Sequence, residues 1–464
     1  MIFGISINDK NDPILFANQL PSSIKYYRNK IQDKYNSSIT KNHIPQSVTS
    51  VYLEDIKSIN EKVPKKVKTL AVYIKDYSRH KLNPNCLPES LTSLTYYDED
   101  SDQEVDLSTL PKNLTYLNIN GYLSGKGHES IKYFIGNTYK PFIIPSSVTY
   151  FKLCGGTFED FQLPQKLIHL ELKKSNINTV IPKLPNHLPP TLKSLSLVNF
   201  SNYSLTINNC PSNLLFYSNE NIRNEKDMSY IPSPNVKKII LSTSKYMTKL
   251  LPIPESVSNL CFGCSMKDDP FKGVLPNQYF SNNLVKLSFH YFGKLKPGMI
   301  PSSVTDLELG YCNRINQDVI PNSVTKLFLV CNSEIQPIII PNTVKTLSFL
   351  NDKQIYSKKL IPNSVETLKI KRLDFKTFQV DYLPNSISTL CIDDNDSYLN
   401  SLFEKRFQIN FPHYNVYTFP LNINLVKFIT KETRRCYHFM DQQVFMEMDF
   451  EKHKQFGQFK KLNI

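Results

Sequence analysis

The sequence predicts a mainly β solenoid with one parallel strand per repeat, an extended convex side and capped ends. Three observations predict it. First, prolines at 21, 45, 64, 88, 111, 145, 164, 189, 211, 254, 301, 321, 341, 362 and 384 are each followed by apolar residues three and six positions on. With Ser233 and Ser281 standing in for proline, that makes 17 copies, mostly 19–25 residues apart. Second, the cleanest copies add an apolar residue two places later, giving the pairs Leu307 and Leu309, Leu327 and Leu329, Leu347 and Phe349, and Leu368 and Ile370. A period of two is that of a strand with one buried face. Third, a single such unit has nothing to bury that face against, so successive units must stack.

Each part of the unit has a physical reason. In "IPNSVTKLFLVCN" (320–332), Pro321 fixes its own φ and keeps Ile320 extended, and it lacks an amide, which suits a corner outside the ladder. The Ser, Asn or Thr that follows is expected to satisfy backbone groups locally at the bend. About twenty residues per coil leave little room for a helix on the return path, and "NRINQDV" and "NSEIQPI" read as extended. Seventeen strands at about 4.8 Å each make a ladder on the order of 75–80 Å long. The longer gaps 111→145 and 254→281 read as local insertions.

Three regions follow. Residues 1–44 form an N-terminal cap and first degenerate repeat, in which Ile24, Tyr27, Ile31 and Tyr35 fit one helical face. Residues 45–395 form the solenoid. Residues 396–464 form a C-terminal capping segment, with "RCYHFMDQQVFMEMDF" (435–450) as a hairpin over the last coil and "EKHKQFGQFKKLNI" as a mobile basic tail.

The L-x-x-L-x-L pattern, with Cys312 or Asn332 three residues on, resembles leucine-rich repeats. More specifically, "INQDVIPNSVTKL" and "IPSSVTDLELG" resemble the FNIP repeat, a short relative of those repeats, over roughly residues 15–395. Ile315 stands where that signature has Phe. The resemblance implies a leucine-rich-repeat-like solenoid used for binding.

Composition sets further bounds. Over 464 residues the formal net charge is +14. Lysine greatly outnumbers arginine and is spread along the chain, which argues against nucleic acid, where bidentate readout favours Arg. No apolar run is long enough for a membrane span. The start "MIFGISINDKNDP" has no basic stretch ahead of its apolar residues, so a secretory signal is not expected. The nine cysteines then read as reduced thiols in the cytoplasm, with the nucleus as the alternative.

No catalytic constellation emerges, and no cofactor or metal is expected. "GYLSGKGHES" (121–130) is one residue short of a phosphate loop and reads as a loop insertion. Cys261 and Cys264 form one CxxC without the second pair zinc needs. "YDEDSDQEVDL" (97–107) has Gln103 where a calcium loop needs Gly, and reads as a solvated acidic loop.

The residues between the buried leucines point outward and define the expected protein-binding face. They are Tyr97, Tyr116, Asn118, Tyr150, Lys152, His169 and Glu171, with Lys173 at the edge. Tyrosines offer amphipathic area at low entropy cost. A second, apolar cluster is expected from Phe328, Val330 and Leu350 beside Lys326. The function read from these features is a non-enzymatic scaffold whose strand face binds a protein partner. Three other functions compete with it. One is a substrate-recognition subunit of a ubiquitin ligase, for which "LPSSIKYYRNKI" shares only its Leu-Pro opening with an F-box-like segment. Another is a binder of an acidic partner or nucleic acid, suggested by charge. The last is a carbohydrate-active β-helix, which needs paired carboxylates on adjacent coils; Glu171 has none at 152 or 196, and Asp306 and Glu308 share one strand.

Overall fold

A computed structural model describes residues 22–30, 44–54, 63–74, 82–98, 104–137, 142–155, 162–173, 188–198, 210–220, 233–241, 253–262, 275–291, 293–310, 315–330, 339–350, 360–370, 382–393, 425–429, 434–440, 443–449 and 459–462. The chain divides into two compact units. Unit 1 holds residues 1–222 and 226–236, and unit 2 holds 223–225 and 237–464.

In unit 1 the strands are β1 (Tyr26–Lys30), β2 (Ser50–Glu54), β3 (Thr69–Ile74), β4 (Ser93–Asp98), β5 (Glu104–Asp106), β6 (Tyr116–Asn120), β7 (Tyr122–Ser124), β8 (Tyr133–Asn137), β9 (Tyr150–Cys154), β10 (His169–Lys173), β11 (Ser194–Val198) and β12 (Phe216–Glu220). All but β5 and β7 pair in parallel, each with its neighbour in sequence, into one sheet. On the return path β5 and β7 pair in parallel with each other.

In unit 2 the parallel run is β13 (Lys238–Leu241), β14 (Asn259–Phe262), β15 (Lys286–His290), β16 (Asp306–Gly310), β17 (Lys326–Val330), β18 (Thr346–Phe349), β19 (Thr367–Ile370), β20 (Thr389–Asp393) and β21 (Leu425–Ile429). Then β22 (Arg434–Met440), β23 (Gln443–Asp449) and β24 (Phe459–Leu462) continue the sheet antiparallel. Among the described residues there is no α-helix; 3₁₀ turns lie at Pro84–Cys86 and Leu107–Thr109.

The apolar spacing produces the core directly. Leu287, Leu307, Leu327, Leu347, Leu368 and Leu390 face one another across successive strands, and each is at most 1% exposed. Two residues on, Phe289, Leu309, Leu329, Phe349 and Ile370 form a second buried row. A third row, Val304, Val324, Val344 and Val365, closes the corner at 0% exposure. Burying each such side chain contributes about 1.5–3 kcal/mol before conformational entropy is subtracted.

The proline marks a turn, as its position implies. Its carbonyl accepts from the amide three residues on: Val324 to Pro321 at 3.1 Å, Val344 to Pro341 at 3.1 Å, and Val365 to Pro362 at 3.1 Å. The hydroxyl two residues after it does not bond locally, contrary to the expectation from turn chemistry. It donates to the previous coil: Ser323 Oγ to Val304 O at 2.7 Å, Thr343 to Val324 O at 2.9 Å, Ser364 to Val344 O at 2.9 Å, and Ser386 to Val365 O at 2.7 Å. In unit 1, Ser47, Ser147 and Thr191 do the same. The reason is geometric: the turn stacks on the turn before it, so a carbonyl left without a partner in one coil lies within reach of the next coil's hydroxyl.

Four further expectations are corrected. The segment after Pro111 is not an insertion but an additional repeat, β8, with His128 in the proline position; Ile131 N donates to His128 O at 3.1 Å, as Leu114 N does to Pro111 O and Val148 N to Pro145 O in the turns on either side. "GYLSGKGHES" is accordingly β7 followed by the opening of that turn. Near the N-terminus, Tyr26–Lys30 is strand β1, not helix; Ile31 and Tyr35 lie outside the described residues. At the other end, the expected hairpin forms as β22 and β23 but extends the sheet edge, and part of the expected mobile tail, residues 459–462, pairs with β23.

Candidate binding surface

On unit 1 the outward positions line up across strands. Tyr116, Tyr133, Tyr150 and His169 share one register position on β6, β8, β9 and β10. Tyr133 is 51% exposed, and its ring centroid lies 5.9 Å from that of Tyr150, which lies 5.9 Å from the His169 ring. Two residues further along the strands come Asn118, Ile135, Lys152 and Glu171. Lys152 Nζ meets Glu171 Oε1 directly across the strand pair at 2.6 Å.

A second aromatic run crosses β1 to β4. The Arg28 guanidinium sits 4.7 Å over the Tyr52 ring, and its Nη2 is 3.5 Å from Glu54 Oε2. The Tyr52 hydroxyl donates to the same carboxylate at 3.4 Å. Tyr52 then contacts Tyr73 at 5.3 Å, and Tyr73 contacts Tyr97 at 6.4 Å. The step from Tyr52 to Tyr73 is diagonal because the residue directly opposite Tyr52 on β3 is Ala71, too small to fill the space. Such ring pairs are worth about 0.5–1.5 kcal/mol beyond their burial.

Burial and neighbouring charges act on three phenols and one ammonium of these rows. Burial, with Glu54 beside it, pushes the Tyr52 phenol up to about 12. Burial, then Tyr116 and Glu54, raises Tyr73; burial, then Glu171, raises Tyr150. All three phenols therefore carry their protons at neutral pH and can donate. Burial alone would lower Lys152, but the hydrogen bond and charge of Glu171 outweigh it, so the ammonium persists.

Of the residues expected from sequence, Tyr116, Tyr150 and His169 share one row, and Asn118, Lys152 and Glu171 the next, while Tyr97 belongs to the β1–β4 run. Arg28, Tyr52, Tyr73 and Tyr133 were not among those candidates. Tyr133 was hidden with its unrecognised repeat, although Ile131 and Phe134 keep the repeat's apolar spacing. On unit 2, Phe328 and Leu350 are half-buried, but Val330 is only 3% exposed and does not join an outward cluster. The strand ends at Val330, and strict alternation fails there: Leu329 and Val330 are both buried, as are Leu309 and Gly310 at the matching place on β16.

Among the described residues, no group of three or more His, Cys, Asp and Glu side chains is placed to hold a metal ion. Cys261 is half-buried on β14, and Cys264 lies outside the described residues. No helix among the described residues is long and apolar enough to cross a membrane.

A family model and one solved structure agree with this architecture. The FNIP Repeat family model matches residues 77–122, 293–332 and 313–352. Among solved structures, the chain is similar to CroV588, described as a novel circular LRR protein, with 18% identity, a TM-score of 0.50, and coverage of 90% of this chain and 74% of that one. YopM from Yersinia enterocolitica WA-314 aligns with 16% identity and a TM-score of 0.39, covering 81% of this chain and 88% of that one. No curated protein matches. The chain thus has a leucine-rich-repeat-like solenoid fold, with FNIP repeats over residues 77–122 and 293–352.

Proposed function

We propose that the strand face of unit 1 recognises another protein and that the chain works as a non-enzymatic scaffold inside the cell. The observation that carries this reading is the aromatic ladder Tyr116, Tyr133, Tyr150 and His169, set on adjacent strands. Its side chains are outward and its backbone is locked by parallel ladders on both sides, so little entropy is lost when a partner docks. Repeat solenoids commonly use such extended faces for binding. The register also bears against the glycosidase rival, because Glu171 faces Lys152 and Ser196 on its two neighbouring strands, not a second carboxylate.

The test is affinity capture from native lysate with the tagged full chain, comparing wild type with Tyr133→Ala/Tyr150→Ala after circular dichroism has shown both to be folded. Centrally placed tyrosines that act as anchors each contribute about 2 kcal/mol or more. A protein retained by the wild type and depleted at least about tenfold by the double variant would support the reading. Identical captures by both proteins would refute it.

A further inference from the structure

The residue just ahead of each strand lies on the turn edge bordering this face. At four of the ten parallel strands it is a lysine, Lys25 before β1, Lys68 before β3, Lys132 before β8 and Lys193 before β11, and all four are exposed. Their backbones are fixed between coils. The amides of Lys68, Lys132 and Lys193 donate to Thr49 O, Thr115 O and Ile168 O at 2.8, 2.9 and 2.8 Å, and Lys25 O accepts from Thr49 and Ser50 at 2.9 and 3.1 Å. Among the described residues none of the four takes part in an ion pair; the pairs of unit 1 are Arg28–Glu54, Lys126–Glu129 and Lys152–Glu171. Over the ten turns that open its parallel strands, the four residues after each proline position include eight lysines and two glutamates, Glu89 and Glu129. Glu129 is already held by Lys126 at 3.0 Å.

We infer that unit 1 takes an extended acidic segment of its protein partner, laid across the strands with carboxylates on the lysine edge and backbone against the tyrosine ladder. This rests on the strand-face reading above and names the chemistry of the partner. The charge of the edge calls for an anion, and the ring geometry says which kind. Neighbouring rings lean on one another at 5.3–6.4 Å with tilts of 34–39°, so Tyr73 and Tyr150 each have a ring on both sides, and Tyr52 lies between the Arg28 guanidinium and Tyr73. Nucleobases need free faces on which to stack. Phenol hydroxyls suit peptide carbonyls, and lysines supply point charges for carboxylates without the fork that phosphate recognition favours.

The register adds a spacing rule. The four lysines stand two, three and three strands apart. At about 4.8 Å per strand these steps are about 10, 14 and 14 Å, and an extended chain rises about 3.3 Å per residue. The matching segment is therefore about twelve residues long, with an acidic side chain at every third or fourth position.

The test uses the full chain and a fluorescein-labelled peptide of about that length, built from Ala and Pro with Glu at every third or fourth position. Controls are the same peptide with Lys for Glu and an oligothymidylate of equal length. Fluorescence anisotropy should show the Glu peptide binding wild type in preference to both controls. Its affinity should fall at least about tenfold in Lys68→Glu/Lys132→Glu/Lys193→Glu, and should weaken as salt screens the lysines. Equal binding of the Lys peptide, or no effect of charge reversal, would overturn the inference. Tighter binding of oligothymidylate, lost in the same variant, would overturn it in favour of nucleic acid. The capture experiment separates the two levels. A cellular protein lost by Tyr133→Ala/Tyr150→Ala but kept by the charge-reversed chain removes the acidic segment and leaves the strand-face reading standing. Capture unchanged in both variants removes both.

Discussion

Removing Ser323's hydroxyl tests whether coils are stitched together at their turns. Ser323 Oγ donates to Val304 O at 2.7 Å in a half-buried setting, so Ser323→Ala strips one coil's carbonyl of its donor from the next. A neutral hydrogen bond contributes about 0.5–1.5 kcal/mol net, and stranding a buried acceptor costs about 1–3 kcal/mol, so a loss near 1–2 kcal/mol is expected. Two controls sharpen the number. Thr343 makes the same bond at 2.9 Å one coil later, so Ser323→Thr should keep most of the stability. Ser303 occupies the same position one coil earlier, yet its buried Oγ has no hydrogen-bond partner among the described residues. Ser303→Ala should therefore be neutral or slightly stabilising. Urea unfolding followed by circular dichroism, with hydrogen exchange to localise any partial opening of the array, measures all three. If Ser303→Ala costs as much as Ser323→Ala, the hydroxyls stabilise by some route other than the bonds between coils, and the reasoning fails.

Three more outcomes are expected. A Cβ placed on Gly310 would lie 2.5–2.8 Å from the buried His290 ring across the strand pair, so Gly310→Ala should cost about 1–3 kcal/mol. Combining it with His290→Ala should recover part of that loss, and a double-mutant cycle by urea unfolding reads the coupling. The Tyr52 phenol is raised from 10.0 to about 12, so its neutral form is favoured in the folded state. That contribution is complete below the unfolded value and is lost as pH rises towards the folded one; unfolding at mildly and strongly alkaline pH should show a shallower loss in Tyr52→Phe. Glu129 is held down from 4.5 to about 2, first by the Ser146 hydroxyl and then by Lys126. Its contribution is present above the unfolded value and lost as pH falls towards the folded one, so Glu129→Gln should flatten the acid limb of a stability–pH curve.

The fold was legible because its largest energetic term has the plainest pattern. Burial of Val324, Leu327 and Leu329 demands apolar residues at fixed offsets from Pro321, and those offsets survive substitution elsewhere. The copy at His128 is not legible from the proline pattern, because it lacks the proline and because its spacings of 17 residues to Pro111 and to Pro145 fall short of those of the other copies. Near the N-terminus, the three-residue step from Ile24 to Tyr27 is common to a helix face and to the repeat's first two apolar positions. Pairing with β2 decided for the strand. The hydroxyl bonds between coils were not legible, since a Ser after Pro offers the same donor to its own turn or to a neighbouring one, and only stacking selects. Outward residues could be named from alternation, but ring contacts such as Tyr52 with Tyr73 depend on the small Ala71 across the ladder. Val330 shows where alternation stops being a guide, at the last residue of β17.

The account's central claim is that partners meet unit 1 on its strand face. The most direct measurement is photo-crosslinking in native lysate with benzoylphenylalanine placed at position 133 in one protein and at position 143 in another. Tyr133 is 51% exposed on the strand face, and Ile143 is 59% exposed on the return path, so access alone favours neither. The account predicts a discrete adduct from position 133 and none from 143. An adduct from 143 alone would contradict it and move recognition to the return path.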